Sequence, residues 1–179
     1  MIMKDFVLQQ TKFVELVQTK IVKDGQQNND WFWVRRVNSQ PAVVIVATIG
    51  NKLVVTRELR IPIKRYEYGL PAGLIDPGES IKETVIREIK EETGLDFVRF
   101  TSEPSPAIYN SSGLTDESCF IAFIEVSGEI SNKNLQDNED ITTYLMSKEE
   151  VKKLLHQENI SFSAKAWLIF KMFCGELFF

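Results

Sequence analysis

The sequence predicts an α+β fold, in which a mixed β-sheet carries helices on its faces. Strand-like runs precede the first helical segment and recur between the later ones. One of them, PAVVIVATI at 41–49, is apolar almost without a break, as expected for a strand covered on both sides. The stretch from Ser80 to Gly94 carries helix start and stop signals around an apolar stripe.

Residues 6–22 (FVLQQTKFVELVQTKIV) alternate apolar and polar side chains as a strand does, and KDGQQNND at 23–30 reads as a turn. WFWVRRV at 31–37 is a further strand. After the run at 41–49, Gly50-Asn51-Lys52 turns the chain into LVVTREL, completing a hairpin. Residues 57–68 are basic and aromatic, and Pro62 interrupts any regular element there. Pro71 and Gly73 flank a tight bend, and Asp76-Pro77-Gly78 makes a second turn. A helix follows from Ser80 to Thr93. Ser80 is its N-cap, Glu83 the capping-box partner, and Ile81, Val85 and Ile89 the inward stripe, with Gly94 as the stop. A loop rich in Ser, Pro and Gly spans 101–114, CFIAFIEV at 119–126 is a buried strand, and 128–140 is polar and acidic. ITTYLM is a short strand, Ser147-Lys-Glu-Glu opens a helix with a second capping box, and 161–174 suggests a final helix.

The chain has 179 residues, enough for one domain with a sizeable core. Its net charge of -4 argues against a general nucleic-acid binder, while leaving room for a local basic pocket. Two cysteines, Cys119 and Cys174, are too few for a disulfide framework and lie in apolar runs, so buried thiols in a cytoplasmic protein are expected. The N-terminal MIMKDFVLQQ lacks the apolar stretch of a signal peptide. No run approaches the ~18 apolar residues of a membrane span. His156 sits in the charge-rich KEEVKKLLHQEN and reads as a surface residue, which removes the support for zinc or serine–histidine chemistry.

The chemistry lies in GLIDPGESIKETVIREIKEETGL at 73–95. Glu88, Glu91 and Glu92 crowd one helix face at i, i+3 and i+4, where like charges repel. A hard divalent cation such as Mg2+ or Mn2+ reverses that penalty, because it takes oxygen ligands. Arg87 can pair with Glu83 or Glu91 one turn away, and Glu79 can hold the guanidinium in a bidentate contact. Gly73 lets the backbone bend close to the ions, and the Ala72 carbonyl is a candidate extra ligand.

The spacing Gly-x5-Glu-x7-Arg-Glu-(apolar)-x-Glu-Glu-x-Gly-(apolar) resembles the signature of the Nudix hydrolases, and all nine specified positions match. The resemblance implies an α/β/α sandwich with a mixed sheet over 41–179 and an N-terminal antiparallel strand region over 1–40 that builds a homodimer. It implies Mg2+-dependent cleavage of a pyrophosphate linkage by metal-activated water, with Mn2+ as the other ion. Glu88, Glu91 and Glu92 would be ligands, with Arg87 and Glu79 in support.

Over 31–155 the chain resembles the ADP-ribose, or nucleoside diphosphate sugar, pyrophosphatase branch. The run from Val54 to Glu79 matches the basic loop in which an arginine, here Arg60, contacts substrate phosphate. In WFWVRRV, Trp31 and Arg36 match an aromatic residue that stacks on adenine and its assisting arginine, with Trp33 as a rival. SPAIYNSSGLTDE at 105–117 resembles the loop that meets the terminal ribose, and gives Gly113 and Glu117 as substrate contacts. Two departures stand out. Ser112 precedes Gly113 where the branch often has proline, and Gly69 stands where some members carry glutamate. For the general base, Glu139 matches a loop glutamate of related enzymes. Asp140 and a glutamate of the helix itself are the alternatives. Two other readings are a hydrolase of nucleoside triphosphates or dinucleotide polyphosphates, and a non-catalytic nucleotide sensor.

Overall fold

The computed structural model describes residues 1–135 and 140–176 and builds them around two sheets. The first is a three-stranded antiparallel sheet of β1 (Ile2–Gln10), β2 (Val14–Lys23) and β3 (Gln26–Arg36). The single strand expected over 6–22 is thus two. Between them the Thr11 hydroxyl accepts from the Phe13 and Val14 N–H groups and satisfies a turn locally. The turn expected over 23–30 is confined to Asp24-Gly25, both at positive φ, a two-residue hairpin loop. The amide-rich residues after it join β3, because pairing with β2 satisfies their backbone whatever their side-chain polarity.

The second sheet has nine strands: β4 (Ala42–Ile49), β5 (Lys52–Arg60), β6 (Arg65–Gly69), β7 (Ala72–Leu74), β8 (Asp96–Phe100), β9 (Ile108–Tyr109), β10 (Ser118–Ser127), β11 (Ile141–Met146) and β12 (Ser161–Phe162). Their order is β12-β6-β5-β4-β10-β8, with β11 on β5, β7 on β4 and β9 on β10. Pairs β10–β4 and β12–β6 are parallel and the rest antiparallel, so the sheet is mixed, as the sequence predicts. Pro62 interrupts the 57–68 segment as expected, between β5 and β6. It sits in a 3-10 turn, Ile61–Ile63, where no ladder N–H is needed, and Arg60 pairs with Arg65 across it.

Helices α1 (Ile81–Thr93), α2 (Lys148–Leu155) and α3 (Ala164–Cys174) cover this sheet. Alternation along β4 explains its unbroken apolar run. Val43, Ile45 and Ala47 point into one core with Val85 and Ile89 of α1. Val44 and Val46 point into the other, with Val151 and Leu154 of α2 and Ile169 and Phe170 of α3. The result is an α/β/α sandwich. Each such side chain, fully buried, contributes about 1.5–3 kcal/mol of transfer free energy. Helix α3 begins at Ala164 rather than 161, because Ser163 caps it and Ser161–Phe162 pair with β6 instead. Cys119 is buried as expected, but Cys174 is only half-buried, and both are free. His156 is exposed. Among the described residues no helix is long and apolar enough to cross a membrane.

Candidate active site

Local chemistry fixes where α1 starts and stops. The Ser80 side chain accepts from the Glu83 N–H, and the Glu83 carboxylate accepts from the Ser80 N–H at 2.8 Å. Gly94 closes the helix at φ 75°, a left-handed conformation that suits glycine. Residues 85, 88, 89 and 92 follow the i, i+3, i+4, i+7 spacing that buries a helix face. Val85 and Ile89 obey it with apolar side chains, while Glu88 and Glu92 occupy the same stripe and are only 8% and 6% exposed. Burying a carboxylate is costly unless the site supplies partners.

Those partners come from β7 and from Arg87. The Glu92 Oε2 accepts from the Ala72 N–H at 3.1 Å, and the Thr143 hydroxyl donates to the Glu92 carbonyl at 3.1 Å. The Glu88 carboxylate packs so closely on Gly73 that a Cβ there would fall 1.8 Å from its Oε1. Only glycine permits that approach. Arg87 grips Glu79 by two bonds, Nε to Oε1 at 2.9 Å and Nη2 to Oε2 at 2.8 Å. It also donates to the Leu74 carbonyl at 3.0 Å, to Glu88 at 2.5 Å and to Glu91 at 3.5 Å. The pairing with Glu83 raised by the helical spacing does not form, because the capping box commits that carboxylate to Ser80.

The Thr84 hydroxyl, from a fully buried residue, and the Asp76 N–H complete the cradle around Glu79. The Arg87 hydrogen bonds hold the Glu79 carboxyl down at about 2, against a smaller opposing effect of burial. The same pairing raises the Arg87 guanidinium. Both stay charged at neutral pH, as an unbroken ion pair requires.

A cleft of about 280 Å3 lies between Ala72–Leu74 and α1, lined also by Asp76, Arg87, Glu88 and Glu92. Ala72, Gly73 and Leu74 also line a cavity of about 360 Å3 that extends to Arg36, Arg60, Asn110, Glu117 and Lys165. Arg36 pairs with Glu117 at 2.8 Å, and Arg60 with Glu58 at 2.7 Å and Glu67 at 3.5 Å. The fold therefore brings Arg36, Arg60 and Glu117 together beside the acidic helix.

Other candidates sit elsewhere. Trp31 and Arg36 are five residues apart in unbroken register, so they project from opposite faces of β3. Trp31 lines a different cavity, of about 620 Å3, with Trp33 and Tyr109. Trp33 is anchored there by its indole N–H to Thr19 at 2.7 Å. Gly113 lies on an exposed turn whose Leu114 carbonyl accepts from Val34 of β3. Asp140 accepts from the Tyr66 hydroxyl at 2.6 Å, and alternation along β6 sets Tyr66 on the opposite face from Glu67 of the cavity. Glu139 lies outside the described residues. Asn110, Lys165 and Thr84 were not singled out from the sequence. Asn110 lies in the loop at 105–117, but nothing near Lys165 in the chain marks it.

Among the described residues no three acidic, histidine or cysteine side chains converge around one point. Glu88 and Glu91 turn instead to the Arg87 guanidinium. The donor set nonetheless fits a hard divalent ion: buried carboxylates with no sulfur or imidazole, against a strand glycine whose missing Cβ leaves the room they occupy.

A family model of the NUDIX domain matches residues 38–167. The ADP-ribose pyrophosphatase of Bacillus subtilis is 26% identical over 151 residues, covering 83% of this chain and 80% of that one. The ADP compounds hydrolase NudE of Escherichia coli is 44% identical over 59 residues, 33% of this chain and 32% of that one. A crystal structure of an ADP compounds hydrolase superposes with a TM-score of 0.70 over 97% of this chain and 95% of the other. Its identity of 19% makes that a likeness of fold alone. The family match and these relatives indicate a pyrophosphatase hydrolase of a class that uses a divalent metal. The chain belongs to the Nudix family.

Proposed function

We propose that the chain is a Mg2+-dependent pyrophosphatase, with Mn2+ able to substitute, that splits ADP-ribose or a related sugar nucleotide into a nucleoside monophosphate and a sugar phosphate. The observation that carries this is the burial of Glu88 and Glu92 on the α1 stripe against Gly73. Burying two carboxylates costs desolvation that Arg87 and the Ala72 N–H offset here, and a bound cation would offset it further. Glu88 and Glu92 are the principal metal ligands, Glu91 a further ligand or base, and the Ala72 carbonyl an added donor. Arg87 and Glu79 hold Glu88 in place. The bound ion would neutralise the diphosphate and lower the pKa of a water. Arg60 and Arg36 supply positive charge further along the cavity, where Glu117 meets the sugar, and the Gly113 turn, whose neighbours Ser112 and Thr115 line the Trp31 cavity, is a further substrate contact. A water attacks one phosphorus, the bridging P–O bond breaks, and a carboxylate takes the proton. Because Asp140 is engaged by Tyr66, Glu139 is the better loop candidate for that base.

Residues 1–40 are proposed to form the dimer surface, with 41–179 as the hydrolase domain. Trp31 and Phe32 are 52% and 53% exposed on opposite faces of β3, and Phe13 is 66% exposed in the turn before β2, apolar surface of which a second copy would cover part. Trp31 and Arg36 on opposite faces of β3 can both reach bound nucleotide if Trp31 serves the other subunit's site. Light scattering is expected to give twice the 20.6 kDa chain mass; a monomer would remove this reading. We assign the protein to the cytosol, where its two free thiols stay reduced, and its recovery in a secreted fraction would contradict that.

The test is kcat/KM with Mg2+ and with Mn2+ for ADP-ribose, ADP-glucose, GDP-mannose, NADH, a diadenosine polyphosphate and nucleoside triphosphates. ADP-ribose is expected to lead. A lead for triphosphates would keep the acidic helix and overturn the substrate reading.

A further inference from the structure

The cavity of about 360 Å3 contains one cation that nothing above employs, Lys165 in the first turn of α3. Arg36 and Arg60 face carboxylates, whereas Lys165 donates to a neutral group, the Asn110 Oδ1, at 2.5 Å. The Asn110 amide is then used on both sides, since its Nδ2 donates to the Glu117 Oε2 at 2.7 Å. The Glu117 Oε1 accepts from the Arg36 Nε at 2.8 Å. An ammonium has three donors and a carboxylate about four acceptor positions, so this chain of bonds ends in spare donors on Lys165 and spare acceptors on Glu117. Asn110 fixes the spacing between them. Burial pushes the Glu117 carboxyl up, but Asn110 and Arg36 outweigh it and keep the group below its ordinary value, hence ionised.

We propose that Lys165, held beside Glu117 through Asn110, is a further substrate-binding residue of the sugar subsite: it donates to a vicinal hydroxyl of the moiety beyond the diphosphate, while Glu117 supplies the selectivity against an anionic group. Each hydroxyl of a diol both donates and accepts, which matches a donor and an acceptor held side by side. A further phosphate offers only acceptors and would meet the ionised Glu117. This inference rests on the sugar-nucleotide reading and adds to it a residue that binds the sugar.

Calorimetric binding of ADP-ribose and of ADP methyl ester, which shares the diphosphate but lacks the second sugar, tests it. Both are made as α,β-methylene analogues, which resist hydrolysis, and titrated with Mg2+ into the wild-type protein, into Lys165→Met and into Lys165→Gln as a second variant. Losing a charge-assisted bond should weaken ADP-ribose roughly 10- to 100-fold. The methyl ester should be unaffected. Equal losses for the two ligands, or no loss for ADP-ribose, or binding of neither, would overturn the proposal. Turnover by wild-type protein reads the functional claim separately. Preference for triphosphates would sink the sugar-nucleotide reading, while the binding ratio still decides the role of Lys165.

Discussion

Glutamine in place of Glu92 is expected to leave the fold intact and lower kcat by roughly a thousandfold, about 4 kcal/mol of barrier. The amide has nearly the shape of the carboxylate, and its oxygen can still accept from the Ala72 N–H. The backbone bond from Thr143 to the Glu92 carbonyl is untouched. A buried neutral amide also costs less desolvation than a buried anion, so the melting temperature should not fall. What disappears is a negative oxygen beside the diphosphate, where charge is worth most because little water intervenes. Full activity in this variant would sink the assignment of the acidic helix as the metal site.

The second large effect is expected from Gly73→Ala. The new Cβ would stand 1.8 Å from Oε1 and 2.5 Å from Oε2 of Glu88, so the carboxylate must leave. The backbone cannot easily yield in its place, because Gly73 is paired with Val43 of β4, a fully buried residue. A displacement of about an ångström at such a site costs on the order of a hundredfold in rate. The Mg2+ concentration for half-maximal activity should rise with it. A variant with normal rate and normal Mg2+ dependence would show that Glu88 does not need its place against Gly73.

Much of this site was legible because its causes are local. The Ser80–Glu83 box and the Gly94 stop are chemistry between near neighbours, and the structure forms both. The grip of Glu79 on Arg87 was readable because eight residues of turn and helix fix their approach. The double-sided burial of β4 followed from its unbroken apolar run. Misreadings arose where a competing partner decided the outcome. Glu83 has two options at helical spacing, and the cap won. The polar run after Asp24-Gly25 resembled a turn because its ladder partner, β2, is not visible in composition. Strand β8 was not anticipated; it is short and mostly half-exposed or exposed, and only its pairing with β10 defines it. Lys165 meets Asn110 across 55 residues of sequence, a contact that topology creates and no spacing rule foretells.

The most direct test of the central claim is hydrolysis of ADP-ribose by protein stripped of divalent ions, repeated after Mg2+ is added back, with the products identified by phosphorus NMR. The stripped protein is expected to show no turnover, and to yield AMP with ribose 5-phosphate once Mg2+ returns. Turnover that ignores Mg2+, or no cleavage of the diphosphate at any Mg2+ concentration, would contradict that claim.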